Sequence, residues 1–113
     1  MSRKGLGEFE HQVLLTILRL GGEAYSVPLV IELEERSGRE VSQAAVYIVL
    51  RRLEDKGLVT SRMEEGSETE SGRTRRYFRL GPVGMEHLRA SRAMLTRFWD
   101  GIEEVLEAGG DRG

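Results

Sequence analysis

Cysteine is absent from all 113 residues. Its absence excludes disulfides, thiolate-based zinc fingers and thiol catalysis, and favours an intracellular, cytoplasmic setting. Long apolar runs are missing as well. No stretch approaches the ~20 residues that span a bilayer, and the N-terminus carries no hydrophobic secretion segment, so no membrane role is expected. Histidine is scarce: His11 and His87 stand far apart, and two separated imidazoles do not assemble a metal site. There is no nucleophile elbow, no H-E-x-x-H and no phosphate-binding loop. Glu34-Glu35 and Glu103-Glu104 are neighbours whose side chains diverge around a helix, as solvated faces do. Neither an enzyme nor a resident cofactor is expected.

What remains is a balanced composition, 39% hydrophobic and 32% charged, that fits one globular domain with a modest core. The net charge of −2 argues against a protein that coats nucleic acid indiscriminately. The charge is segregated, however. Glu64, Glu65, Glu68 and Glu70 occupy a stretch without a base, and Arg73, Arg75, Arg76 and Arg79 follow in a stretch without an acid.

The apolar periodicity sets out the elements. Phe9, Val13, Ile17 and Leu20, widened by Leu14 and Leu18, predict a helix over about 7–20 that Gly21-Gly22 ends. A second short helix follows Ser26, with Pro28 in its first turn and Val30, Ile31 and Leu33 on its inner face. Ser42 is a good N-cap for a third helix reaching Lys56, with Val46, Val49, Leu50 and Leu53 inward. Two helices joined by a short glycine-bearing turn form the helix-turn-helix pattern. Leu58–Met63 and Arg75–Leu80 read as the strands of a hairpin across a long polar loop. The expected fold class is therefore mainly α with a small β-hairpin (α+β): a winged helix-turn-helix carrying a long C-terminal helix.

That last helix is predicted from Pro82 to Ala108, about 40 Å at ~1.5 Å per residue, longer than so small a domain can cover. Met85, Arg92, Trp99 and Leu106 fall seven apart, with Leu88, Leu95 and Ile102 on the alternate seam and Phe98 beside them. An apolar heptad that outruns its domain wants a partner helix, and a second copy of the chain is the simplest supplier. The expected organisation is a DNA-binding winged helix-turn-helix over 1–80, a dimerisation helix over 82–108 and a disordered tail over 109–113. Met85, Leu88, Leu95, Phe98, Trp99, Ile102 and Leu106 are the expected dimer interface.

The blocks Leu6-Gly7-Glu8-Phe9-Glu10, Gly22-Glu23-Ala24-Tyr25-Ser26-Val27, Ala45-Val46-Tyr47, Leu53–Val59 and Gly72–Leu80, with Gly84 beyond them, resemble in order and spacing the PadR family of winged-helix regulators. The resemblance spans about residues 6–108, and the single terminal helix is similar to the family's smaller subgroup. It implies a homodimeric transcriptional regulator of double-stranded DNA, usually a repressor, with some members responding to planar aromatic compounds. Ser26 stands where a glycine is common, and the tip of the wing is unusually acidic.

Reading DNA needs a projecting element that fits the major groove and cations that grip phosphate. On the third helix, Gln43 suits a bidentate contact to adenine, Ala44 a thymine methyl, Tyr47 a phosphate or base edge, and Arg51 a phosphate. The competing reading makes these a solvated helix face, with Tyr47 half in the core. On the wing, Arg73 and Arg75 are favoured over Arg76 for DNA, because strand alternation places Arg75 with Tyr77 and Arg76 with Phe78 on opposite faces. Those arginines alternatively form a charged edge that discourages strand pairing. Trp99 and Phe98 are candidates to flank a slot for a planar aromatic effector, against the plainer role of filling an interface. The rival function is a winged-helix protein-interaction module without DNA binding, which the run of glutamates favours.

Overall fold

A computed structural model describes residues 6–64 and 74–109. Arg3 and Lys4, most of the acidic wing tip, Arg73 and residues 110–113 lie outside them. The chain runs α1 (Glu8–Arg19), β1 (Glu23–Ala24), α2 (Ser26–Ser37), α3 (Gln43–Asp55), β2 (Val59–Glu64), β3 (Arg75–Leu80), α4 (Pro82–Trp99) and α5 (Glu103–Gly109).

Helices α1 to α3 pack their inner stripes together: Val13, Leu14 and Ile17 meet Leu29 and Leu33, and Val46, Val49, Leu50 and Leu53. The starts of α1 and α3 have local causes. The Gly7 N–H donates to Glu10 Oε1 at 3.1 Å, and the Ala45 N–H donates to Ser42 Oγ at 3.2 Å. Glu10 also receives Lys56 Nζ at 2.9 Å, which ties the first turn of α1 to the end of α3. Burial opposes ionisation of Glu10, yet the hydrogen bonds from Lys56 and Gly7 and the charges of Lys56 and Arg52 hold its carboxyl below the usual range.

The hairpin becomes a three-stranded antiparallel sheet in the order β1-β3-β2. Sequence periodicity predicts only two strands, because two residues carry no detectable alternation; β1 exists by pairing Glu23 with Arg79 and Ala24 with Phe78. Phe78 is fully buried and closes the core beneath the sheet.

Gly84 sits where α4 crosses the turn before β2. A side-chain carbon there would collide with the Leu58 carbonyl oxygen and crowd Leu80 Cδ1 at 2.7 Å, so glycine permits this approach. Leu88 then buries itself against its own core. The single helix expected over 82–108 is divided: α4 ends at Trp99, Asp100 turns extended, and Gly101 adopts the left-handed φ of 86° before α5 begins. The heptad pattern continues through the break, because side-chain periodicity does not register the backbone conformation of one glycine. Among the described residues, no helix is long and apolar enough to cross a membrane.

Candidate functional site

The exposed face of α3, the start of α2 and the start of β3 form one cleft. Tyr25, Ser26, Val27, Gln43, Tyr47, Thr74, Arg75 and Arg76 line its roughly 410 Å³. Three elements supply it: the junction of β1 and α2, the first turns of α3, and the outer half of β3. Four of the expected contact residues, Gln43, Tyr47, Arg75 and Arg76, are thereby brought together.

The inward stripe of α3 leaves Gln43, Ala44, Tyr47 and Arg51 exposed. Gln43 Nε2 donates to Ser26 Oγ at 3.0 Å, so the amide is oriented from α2 while its oxygen keeps its acceptor capacity. Tyr47 lies partly in the core and partly in solvent. Its ring stands edge-on to buried Phe78 with centroids 6.0 Å apart, and the residue is still 37% exposed. Arg51 lies one turn beyond, its NH1 3.5 Å from the Tyr47 hydroxyl and its Nε 3.5 Å from Glu54 Oε1. The Tyr47 hydroxyl first, and the charges of Glu54 and Asp55 after it, raise the Arg51 pKa above its ordinary value.

The described wing arginines face different ways. Arg76 donates to Ser61 Oγ at 2.9 Å, and Ser61 in turn donates to Glu54 Oε2 at 2.7 Å, which anchors Arg76 to the end of α3. Arg75, on the other face of β3, lies with its Cζ 4.3 Å from the centre of the Tyr25 ring. Arg73 is outside the described residues. Ser26, Tyr25, Ser61 and Glu54 order these side chains, and the helical and strand periodicities single out none of them as site residues. Tyr25 and Ser26 do stand inside one of the sequence blocks quoted above, Ser26 at the position where glycine is common.

A second surface lies across the molecule. His11, Leu15, Leu18, Met85, Leu88, Arg92, Leu95 and Trp99 are among the residues lining a groove of about 750 Å³ between α1 and α4. Beyond it Phe98 is 73% exposed, and Ile102, Val105 and Leu106 are also largely exposed. Of the expected interface, then, Leu88 is buried in its own fold, Met85 is half-buried, and Leu95, Phe98, Trp99, Ile102 and Leu106 form an apolar ridge. Leu15 and Leu18 add a wall from α1, a helix whose leucines extend past one inward stripe. His11 meets His87 edge to face with centroids 6.2 Å apart; burial first, then the His87 charge, lowers the His11 pKa. Among the described residues, no group of three His, Asp or Glu side chains could hold a metal ion.

The fold recurs in known proteins. The family model described as the transcriptional regulator PadR-like family matches residues 14–90. A crystal structure of a PadR family transcriptional regulator from Eggerthella lenta superimposes with a TM-score of 0.64 at 29% identity, over 84% of this chain and 80% of that one. A PadR-like regulator from Bacillus cereus gives a TM-score of 0.67 at 20% identity, over 87% and 90% of the two chains. F93 from STIV, a winged-helix DNA-binding protein, gives 0.64 at 16% identity, over 87% and 98%. No curated protein matches the chain by sequence.

Proposed function

The chain belongs to the PadR-like family of transcriptional regulators, and on that footing we propose that it represses transcription as a homodimer bound to a palindromic operator. In this reading the winged helix-turn-helix over 1–80 carries the DNA contacts, and the segment over 82–108, now α4 and α5, carries the dimer. Each copy lays the N-terminal turns of α3 in a major groove: Gln43 reads a base edge, Ala44 permits close approach, and Tyr47 and Arg51 reach the backbone. Arg75 and Arg73 grip phosphate or the minor groove from the wing, and Arg76 has a smaller share because Ser61 holds it.

The observation that carries the reading is the shared cleft, in which the exposed first turns of α3 sit beside two wing arginines. A groove-reading element flanked by cations on a second element is what sequence recognition and phosphate neutralisation jointly require. Dimerisation is supported by the apolar ridge from Leu95 to Leu106, which leaves large side chains in water unless another surface covers them. The groove beside Trp99 and Phe98 supports an effector of planar aromatic chemistry, held where the two copies meet.

Footprinting on the DNA upstream of the coding sequence tests the proposal. Two protected half-sites should lie about one helical turn, ~34 Å, apart or a multiple of it. Equal affinity for the upstream duplex and a scrambled one at physiological salt would instead favour the rival protein-interaction role. Saturable quenching of Trp99 fluorescence by one of a panel of planar aromatics tests the effector; no quenching across the panel removes it.

A further inference from the structure

Glu23, Arg62, Tyr77, Tyr25 and Arg75 form one continuous stack on the outer face of the sheet. Arg62 on β2 is the cross-strand partner of Tyr77 on β3. Its guanidinium reaches over the middle strand to Glu23 on β1, donating from Nε to Oε2 at 2.9 Å and from NH2 to Oε1 at 3.3 Å. On the way its Cζ passes 4.5 Å from the centre of the Tyr77 ring. Tyr77 then packs on Tyr25 with centroids 5.3 Å apart and planes tilted by 59°. Arg75 closes the far end over Tyr25 at 4.3 Å.

We propose that this Arg62–Tyr77–Tyr25–Arg75 ladder, with Glu23 as its anchor, positions the wing arginine Arg75 for DNA, and that Tyr25 is the positioning residue acting through it. The inference rests on the reading that Arg75 contacts DNA. Its physical basis is a pair of rings held between two cations. A guanidinium is attracted to the negative face of an aromatic ring, and two rings between two cations satisfy both contacts at once. Arg62 already faces a carboxylate through two hydrogen bonds, and Glu23 is held below the usual carboxylate range chiefly by the hydrogen bond from Arg62. Arg75 shares the cleft with Gln43 and Tyr47. An arginine already stacked in one place loses less side-chain freedom when it meets a phosphate, so the stack raises affinity without touching DNA itself. Tyr25 is also the N-cap residue of α2, so the ladder fixes the wing relative to the helix that packs on α3.

The test is a double-mutant cycle. Y25F, Y25L, R75A and Y25L/R75A are titrated by fluorescence anisotropy against a labelled duplex of the upstream DNA at several salt concentrations, with thermal midpoints measured alongside. Y25L should weaken binding about two- to fivefold, the span expected of an exposed cation–π contact, while Y25F, which keeps the ring face, stays within about twofold of wild type. In the R75A background Y25L should have no further effect. Losses that multiply, or a Y25F as weak as Y25L, would show Tyr25 acting on DNA or on the fold by itself and would overturn the ladder. If R75A changes neither affinity nor salt slope, the underlying DNA contact of Arg75 fails, and the inference fails with it in a recognisably different way. One measurement needs no variant that must fold: in the wild-type protein the Arg75 side-chain protons should be shifted upfield by the Tyr25 ring current. Protons at random-coil positions would contradict the stack.

Discussion

Arg75 and Glu10 are charged side chains whose partners assign them different tasks. Arg75 lies in the cleft beside α3, so its replacement by alanine should weaken DNA binding on any sequence and reduce the slope of log affinity against log salt by about one. An unchanged slope in an anisotropy titration would remove it from the contacts. Glu10 serves the fold. Its carboxyl is held below the usual range by Lys56 and Gly7, so the folded state binds its proton less readily than the unfolded chain does. The stability it confers is present above the ordinary carboxylate pKa and is lost as pH falls through the lower folded value. Glu10→Gln should cost about 1–2 kcal/mol near neutrality, the scale of a charge-assisted hydrogen bond, and the gap from wild type should close in acid. A pH-independent gap in urea titrations would show that the charge is not what matters. Sequence reading could place Gln43 and Tyr47 on the outer face of α3 and Arg75 on the face of β3 opposite Phe78, because facing follows from helical or strand phase. It could not name Ser26 or Tyr25 as their supports, since contacts such as that between Gln43 and Ser26 join residues that only the tertiary fold brings together.

Helices and wing strands were legible because each has its own period: Val46, Val49, Leu50 and Leu53 recur at helical spacing, and Tyr77 and Phe78 alternate across a strand. The short strand β1 and the break after Trp99 were not, for opposite reasons. The pairing of β1 is wholly non-local, whereas the break at Gly101 is one residue inside an apolar pattern that carries on. Gly84 shows the local cost of how α4 is seated. Gly84→Ala places a methyl group against the Leu58 carbonyl and Leu80, and overpacking of this kind should destabilise the fold by roughly 1–3 kcal/mol. Chemical denaturation would register it; a wild-type midpoint would mean that α4 can slide on the turn below at little cost.

The whole molecule is drawn out, 58 Å by 33 Å by 24 Å, with a radius of gyration of 16.9 Å. A compact chain of this length would have a radius nearer ~13 Å. The excess follows from the end of α4 and from α5, where none of the α5 side chains is buried. An extended apolar arm is costly in water, and the proposed symmetric pair would cover it. Phe98→Glu, at an exposed position that leaves the core untouched, should shift the protein toward monomer in sedimentation. It should also weaken operator binding at least tenfold, because each half-site is then bound alone. The α1 wall of the groove was not legible beforehand, since Leu15 and Leu18 share a helix with core leucines and only packing separates the two sets.

Sedimentation equilibrium of the protein with a duplex of its upstream DNA, at low and at physiological salt, addresses the central claim most directly. Two chains per duplex should be found, with salt weakening the complex and a scrambled duplex competing poorly. A single chain per duplex, or no complex even at low salt, would contradict paired groove reading by α3.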